Sequence, residues 1–385
     1  MYIGIICEFD PLHSGHARLL SHARAMGADV VICAMSGNFT QRGSFAALDK
    51  RARAEMAVRC GADLVVELPT VWAMSPAETF ARGGVQLLAL TGVDTLLFGS
   101  ECGELSALRR LADCLDSPAF ADRLTAADSG ATFAVRRQRA AAALLGDAAA
   151  ALLESPNNTL AVEYLRALRR TGASMTPATL LRTGAAHDGA PEGGTASASY
   201  LRQLLRQGQG EAACGFTPPE AADILRRELS RSRVTDSALC ERAVLSRLRV
   251  MSEEDWRGYD PGGEGLYHRL YQAARSACTV DGLLSAAKTK RYPLARLRRM
   301  ALAAYLQLPP VPGYTATAAG RGHLRRLRDA GAPVLTKPAD VSSLGADAAA
   351  LFALEGRCTD LYVLARPDLT QSAPGQDYRT TPVMV

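Results

Sequence analysis

Two histidines three residues apart, His13 and His16, bracket Ser14 and Gly15 just beyond an apolar run from Tyr2 to Cys7. The run reads as a buried strand of a parallel sheet, and Leu19, Leu20 and Ala23 give the segment after His13 a helical period. A strand turning sharply into a helix offers an anion the backbone N–H groups and positive end of that helix. Gly15, with no Cβ, lets backbone or phosphate come close. The two imidazoles share one face of the first turn, where both can donate to phosphate oxygens. These residues predict a nucleoside triphosphate site. An isolated histidine is more often a surface or satisfied core residue, but only six occur in 385 residues and two stand at this turn. No further His or Cys is spaced nearby as a third ligand, so no protein-held metal is expected here.

Other candidates sit where further strands should end. Residues 35–43 (Met-Ser-Gly-Asn-Phe-Thr-Gln-Arg-Gly) read as a polar loop closing over a ligand, against the alternative of a structural turn. Lys50, Arg51 and Arg53 beyond it either face phosphates or form a solvated helix face. In Phe98-Gly99-Ser100-Glu101 the glycine allows a flat base or ribose to lie on backbone, while Glu101 either binds ribose hydroxyls or caps a helix. Residues 195–202 place Ser197, Ser199 and Arg202 at a helix start, as a site for β- and γ-phosphates or as an ordinary N-cap. Lys288, Lys290, Arg291, Arg296, Arg298 and Arg299 crowd one stretch with Tyr292, and Arg321, His323, Arg325, Arg326 and Arg328 follow. That density favours an RNA-backbone contact over a merely solvated face.

The elements that must position these groups alternate. Strands are expected at 2–7, 28–35, 62–68 and 95–98, and helices at 14–26, 49–60 and 76–90, with Gly27, Gly61 and Gly92 as left-handed caps. This order implies a parallel sheet with helices on both faces and ligands beyond the carboxyl ends of its strands. Residues 103–153 read as helical, 155–159 as a break, 160–170 as another helix, and 174–181 as a strand leading to Arg182. A loop over 187–194 and a domain junction near 208–219 follow. Beyond it, 220–308 is expected to be mainly helical, then a small α/β piece with strands at 333–335 and 360–365, and a loosely ordered tail over 366–385. The fold class is α/β, with domains at 1–210 and 218–385.

The bulk properties narrow the class without naming a partner. The length predicts two domains. With 48% hydrophobic and 22% charged residues the chain reads as a globular enzyme, and no run approaches the roughly 18 apolar residues a membrane span needs. Tyr2 to Cys7 is too short, and lacks the basic flank, for a secretory signal. Nine scattered cysteines with no C-x-x-C pair predict reduced thiols in a cytoplasm. A net charge of +5 and pI near 8.7 permit nucleic acid without requiring it.

With these pieces in place, the chain resembles the bacterial tRNA(Met) cytidine acetate ligases of the His-x-Gly-His nucleotidyltransferase-like superfamily. The matching stretches are Glu8-Phe9-Asp10-Pro11-Leu12-His13-Ser14-Gly15-His16, the loop at 35–43, Gly61-Ala62-Asp63-Leu64-Val65-Val66-Glu67-Leu68-Pro69 and Phe98-Gly99-Ser100-Glu101. Pro156-Asn157-Asn158, Arg182 and the basic segment 288–299 extend the likeness over nearly the whole chain. The resemblance implies that ATP and acetate give acetyl-adenylate and pyrophosphate. The exocyclic amine of the wobble cytidine in the anticodon of elongator tRNA(Met) then takes the acetyl group. It further implies an ATP site of Ile6, Cys7, Glu8, Phe9, Asp10, Pro11, Leu12, His13, Ser14, Gly15, His16, Ala17, Arg18 and Leu19, completed by Gly99, Asn157 or Asn158, and Arg182. His13 and His16 are the expected catalytic pair, Mg²⁺ the expected companion of ATP, and 218–385 the expected tRNA-binding domain. Asp10 stands where the family commonly has Asn, Leu12 replaces a usual aromatic residue, and 197–202 matches the superfamily's second phosphate motif only loosely. The rival readings are another carboxylate-adenylating ligase or nucleotidyltransferase of the superfamily, and a non-catalytic ATP-binding RNA-binding protein.

Overall fold

Alternation along the first strand decides the architecture. β1 (Tyr2–Cys7) sends Ile3, Ile5 and Cys7 to one face of the sheet and Ile6 to the other, and each face carries its own hydrophobic cluster. The computed structural model describes residues 1–126, 130–183, 195–260, 265–309, 346–381 and 383–385.

After β1 come α1 (Ser14–Ala25), β2 (Val30–Ser36), α2 (Lys50–Arg59), β3 (Leu64–Leu68), α3 (Thr70–Ala73), α4 (Ala77–Thr91) and β4 (Thr95–Ser100). Helices α5 (Leu105–Leu115), α6 (Pro118–Ala126), α7 (Phe133–Leu145), α8 (Asp147–Ala150) and α9 (Pro156–Thr171) lead to β5 (Thr176–Leu181). Then follow α10 (Ala198–Arg206), α11 (Gly210–Cys214), α12 (Pro219–Ser230), α13 (Glu241–Val250), α14 (Glu253–Arg257) and α15 (Leu266–Ser276). The described chain closes with α16 (Val280–Ala287), α17 (Leu294–Leu306), α18 (Ala346–Tyr362) and α19 (Gln376–Arg379).

The sheet order is β3-β2-β1-β4-β5, and every adjacent pair is parallel. Strand order therefore reverses between β1 and β4, the switch point where such sheets open a crevice. The register sharpens this. β1 pairs with β2 from Tyr2↔Val30 to Cys7↔Met35, and β4 with β5 from Thr95↔Thr176 to Ser100↔Leu181. Between β1 and β4 the pairing stops at Ile3↔Thr95 and Gly4↔Leu96, so the two strands part toward their carboxyl ends.

The α/β class and the helical run over 220–308 stand as expected, and β1 matches its expected bounds. Some local expectations do not stand. The segment 155–159, expected to break structure, opens α9, because Pro156 at the first helical position loses no hydrogen bond. Residues 360–365, expected as a strand, are the end of α18 and a 3₁₀ turn; Leu354, Cys358 and Tyr362 are buried at a spacing of four, the period of a helix face. The other expected strand of that piece, 333–335, lies outside the described residues, as do the loop at 187–194 and the cations at 321–328. The tail is not loose: Asp377 pairs with Lys50 and Arg51 at 2.8 Å each, and Arg366 with Asp49 at 3.0 Å. At 208–219 the chain forms α11 and the approach to α12, whose Ala213, Cys214, Ala221 and Leu225 join the cluster beneath Ile3 and Ile5. Among the described residues no helix is long and apolar enough to cross a membrane.

Candidate active site

His13 is the N-cap of α1, and its ring folds back over the helix start. His13 Nδ1 accepts from the Gly15 N–H at 3.1 Å, and His16 Nδ1 accepts from the His13 N–H at 3.4 Å. Each ring thereby spends Nδ1 as an acceptor, which leaves Nε2 to carry the proton and donate. The rings stack with centroids 3.7 Å apart. Burial, with the charges of Arg182 and Arg202 adding, depresses the His13 pKa to about 3. Burial, then His13 and the same two arginines, holds His16 well below its usual value. The pair is thus two neutral, oriented N–H donors.

The helix amides play a different part from the one expected. Ser14 N–H donates to the Phe216 carbonyl, Gly15 N–H to the His13 ring, and the His16 and Ala17 N–H groups to the His13 carbonyl. The four amides of this turn are satisfied within the protein, which leaves the imidazoles and the nearby guanidiniums as the groups able to meet an anion. Gly15 leaves room for the ring, since a Cβ there would sit 3.0 Å from His13 Cε1, tighter than an ordinary contact.

The rest of the motif is mostly buried or partly buried. Ile6, Cys7, Phe9, Asp10, Pro11, Leu12 and His13 are buried, while Glu8, Ser14, Gly15, His16, Ala17 and Leu19 are partly exposed and Arg18 is exposed. Phe9 takes a left-handed conformation at φ 47°, uncommon for so bulky a residue and a mark of local strain at this turn. Asp10 Oδ1 accepts from the Ala47 N–H at 2.6 Å, and its Oδ2 lies 3.4 Å from Arg202, which also donates to the Asp10 carbonyl at 2.6 Å. Arg202 so reaches the motif from the first turns of α10. Ser197, by contrast, is an N-cap, accepting from the Tyr200 N–H at 3.2 Å with the Ser199 hydroxyl beside it.

The basic start of α2 is neither a phosphate clamp nor a solvated face. Arg53 is fully buried and donates to the carbonyls of Leu48, Glu8 and Gly37, tying together the ends of β1 and β2. Lys50 bonds Glu67 and Asp377, and Arg51 bonds Asp377. The loop at 35–43 is likewise consumed: Asn38 accepts from the Lys50 N–H and donates to Thr359, and the Gln41 N–H donates to Glu8 Oε1 at 2.7 Å. The bonds of Arg53 and Gln41 to Glu8 were not foreseeable from local sequence, since each joins residues more than thirty positions apart.

Across the crevice, the Arg182 stem lies over Gly99, with its Cγ 3.1 Å from where a Cβ would begin. Glu101 is a cap: its carboxylate accepts from the N–H groups of Asn157 and Asn158 at 3.1 and 2.6 Å and from Asn157 Nδ2 at 2.7 Å. Asn158 is buried and accepts from the Cys102 N–H at 3.1 Å, whereas Asn157 stays partly exposed. Arg18 donates to Thr183 Oγ1, one residue past Arg182.

The basic segment divides. Lys288, Lys290, Arg291 and Arg298 are exposed. Arg296 pairs with buried Asp260 at 3.1 Å and stacks over Tyr292. Arg299 donates to the Gln41 carbonyl at 3.1 Å, and burial, with Arg296 adding, lowers its pKa to about 10. At Gly43, with φ +74°, a Cβ would sit 2.6 Å from the Arg299 nitrogen, so the backbone after β2 lies directly on α17.

The family model described as HIGH Nucleotidyl Transferase matches residues 1–377. A tRNA(Met) cytidine acetate ligase of Syntrophotalea carbinolica is 40% identical over 77% of this chain and 72% of its own. One of Syntrophomonas wolfei is 34% identical over 99% of both chains. Thermotoga maritima TmcAL in its apo form superposes with a TM-score of 0.90 at 28% identity, over 99% of this chain and 98% of that one. The same protein bound with alpha-thio ATP superposes at 0.88, again at 28% identity, over 99% of both.

Proposed function

Because the chain belongs to the HIGH nucleotidyl transferase family and, within it, to the tRNA(Met) cytidine acetate ligases, we propose that it activates acetate with ATP and acetylates N4 of the wobble cytidine of elongator tRNA(Met). The observation that carries this reading is likeness along nearly the full chain to a protein of that name and to a structure bound with an ATP analogue, in a fold that stacks the paired imidazoles at the start of α1.

In the first step an acetate oxygen attacks the α-phosphorus and the bond to pyrophosphate breaks. Catalysis is then positioning and charge neutralisation, with no covalent protein intermediate. His13 and His16 donate from Nε2 to phosphate oxygens whatever the pH near neutrality, and Arg182 and Arg202 supply positive charge. Gly99 and Asn157 line the far wall. In the second step the cytidine amine attacks the acetyl carbon and AMP departs. Exposed Lys288, Lys290, Arg291 and Arg298 take the tRNA backbone near the anticodon.

The carboxylates near the crevice do not fit a protein-held Mg²⁺: both oxygens of Asp10 and of Glu101 already accept from protein donors, Glu8 keeps only Oε2 uncommitted, and among the described residues no group of three or more His, Cys, Asp or Glu side chains comes together to hold a metal. Any Mg²⁺ arrives on the ATP phosphates, and no step is assigned to it. All nine cysteines are free thiols, which fits a reducing cytoplasm.

Acetate-dependent exchange of labelled pyrophosphate into ATP tests the first step, and nucleoside mass spectrometry of tRNA(Met) after incubation with ATP and acetate tests the second. Exchange indifferent to acetate, or tRNA without N4-acetylcytidine, would sink the reading.

A further inference from the structure

The second step needs a proton acceptor. The cytidine amine is conjugated with its ring, so its nitrogen sheds a proton only as the bond to carbon forms. Most titratable side chains at the motif are already committed: Asp10 to Ala47 and Arg202, Glu101 to the start of α9, and both imidazoles through Nδ1. Glu8 differs. It is the first residue beyond β1, where β1 has parted from β4, and it is partly exposed in a motif whose neighbours Cys7, Phe9 and Asp10 are buried. Its Oε1 is held by the Gln41 N–H at 2.7 Å, which fixes the carboxylate without spending Oε2. Gln41 is gripped in turn by Arg299, which donates to its carbonyl at 3.1 Å, and Arg298, the preceding residue of the same helix, is exposed. A short chain of contacts thus runs from the surface read as the tRNA site, through Arg299 and Gln41, to Glu8 at the mouth of the crevice.

We propose that Glu8 is the general base of the acetyl-transfer step. The inference rests on the ligase reading above. As N4 attacks the acetyl carbon, the carbon–oxygen bond to AMP breaks and its electron pair leaves with the phosphate. One N4 proton passes to Glu8 Oε2, giving N4-acetylcytidine, AMP and a protonated carboxyl that solvent later discharges. The surroundings suit this task. Burial raises the Glu8 pKa, the Gln41 N–H bond opposes it, Asp10 adds to the rise, and Arg202 and Arg53 oppose it. Cys7 beside it on β1 and Tyr164 on α9 are the other titratable groups in its field. A carboxylate raised toward neutrality is a better base at working pH.

The test is Glu8→Gln, which can still accept from the Gln41 N–H, compared with Glu8→Asp and the parent. Two rates are measured for each: acetate-dependent ATP–pyrophosphate exchange, and single-turnover acetyl transfer from pre-formed acetyl-adenylate to tRNA(Met) across a pH series. The ratio of transfer to exchange is expected to fall about 10²-fold in Glu8→Gln. Transfer should rise with pH in the parent, keep that rise in Glu8→Asp at a lower plateau, and become flat in Glu8→Gln. An unchanged ratio, equal behaviour of the Asp and Gln variants, or a pH rise that survives in Glu8→Gln would overturn the proposal. If the parent shows no acetate-dependent exchange, the ligase reading itself fails and this inference with it.

Discussion

The crevice between β1 and β4 and the basic start of α17 both gather nitrogen-rich side chains, and they use them in opposite ways. In the crevice, burial strips charge from His13 and His16, and internal bonds aim what remains. At α17, half-buried Arg296 and Arg299 are tied to Asp260 and Gln41, while neighbouring Arg298 is exposed to solvent. The contrast teaches that a cationic residue type says little until its solvent exposure and its nearest acceptor are known. A buried donor is held in one direction by its partners, while an exposed one is free to reorient and is screened by salt.

The sharpest way to break this contrast is His16→Ala. If the imidazoles are neutral donors to developing phosphoryl charge, acetate-dependent pyrophosphate exchange should fall about 10²- to 10³-fold, the loss typical of one preorganised donor. Near-parental exchange would place the pair outside the chemistry. The scaffold beneath it is tested by Arg53→Met. Removing a buried guanidinium strands the carbonyls of Leu48, Glu8 and Gly37. Unfolding free energy in urea should drop by about 3 kcal/mol. A loss below about 1 kcal/mol would show that water replaces those bonds and that the loops do not depend on Arg53.

Neutral imidazoles also carry a pH signature. An unfolded histidine titrates near pH 6.5, whereas folded His13 titrates near 3. Between those values the unfolded chain binds the extra proton, so stability is fully present above the unfolded pKa and is lost as pH falls below it. From pH 7.5 to pH 5 this contribution amounts to about 2 kcal/mol. His13→Gln, whose amide oxygen can replace Nδ1 as acceptor for the Gly15 N–H, should show an acid-side loss smaller by about that amount in urea unfolding at the two pH values. An identical slope in parent and variant would mean that His13 is protonated in the native state.

How much of this was legible depended on range. β1, the start of α1 and the glycine caps at 27, 61 and 92 follow from local patterns: an apolar run, a helical period, and a residue tolerant of positive φ. That the two histidine rings come together on the first turn of a helix was legible, but not the fate of that turn's amides, because Phe216 is 202 residues away from Ser14. Glu101 and residues 197–202 were each left between two roles in the sequence, and in both places the bond seen in the structure is a backbone N–H to a side-chain oxygen at a helix start, a capping contact between segments or turns that local composition does not specify. Lys50 and Arg51 are alike in kind: their partner Asp377 lies 327 and 326 residues on, in a tail whose composition alone suggested looseness. Residues 360–365 misled because a short apolar run fits a strand or the end of a helix equally, and only the buried positions at 354, 358 and 362 separate them.

The smallest expected effect sharpens the comparison within α17 itself. Arg298 and Arg296 are two residues apart and identical in kind, so composition and charge cannot tell them apart. If exposure decides, Arg298→Ala should weaken tRNA(Met) binding several-fold and reduce the slope of log affinity against log salt by about one, since one phosphate contact and its released counterion are lost. Arg296→Ala should leave that slope unchanged and act on stability instead, because Asp260, which also accepts from the N–H groups of Leu266 and Tyr267, loses its countercharge while buried. Filter binding across a salt series, with thermal melts of the same two variants, gives both numbers. Equal slope changes in the two would mean that Asp260 releases Arg296 when tRNA docks, and that the static partner of a cation does not fix its role.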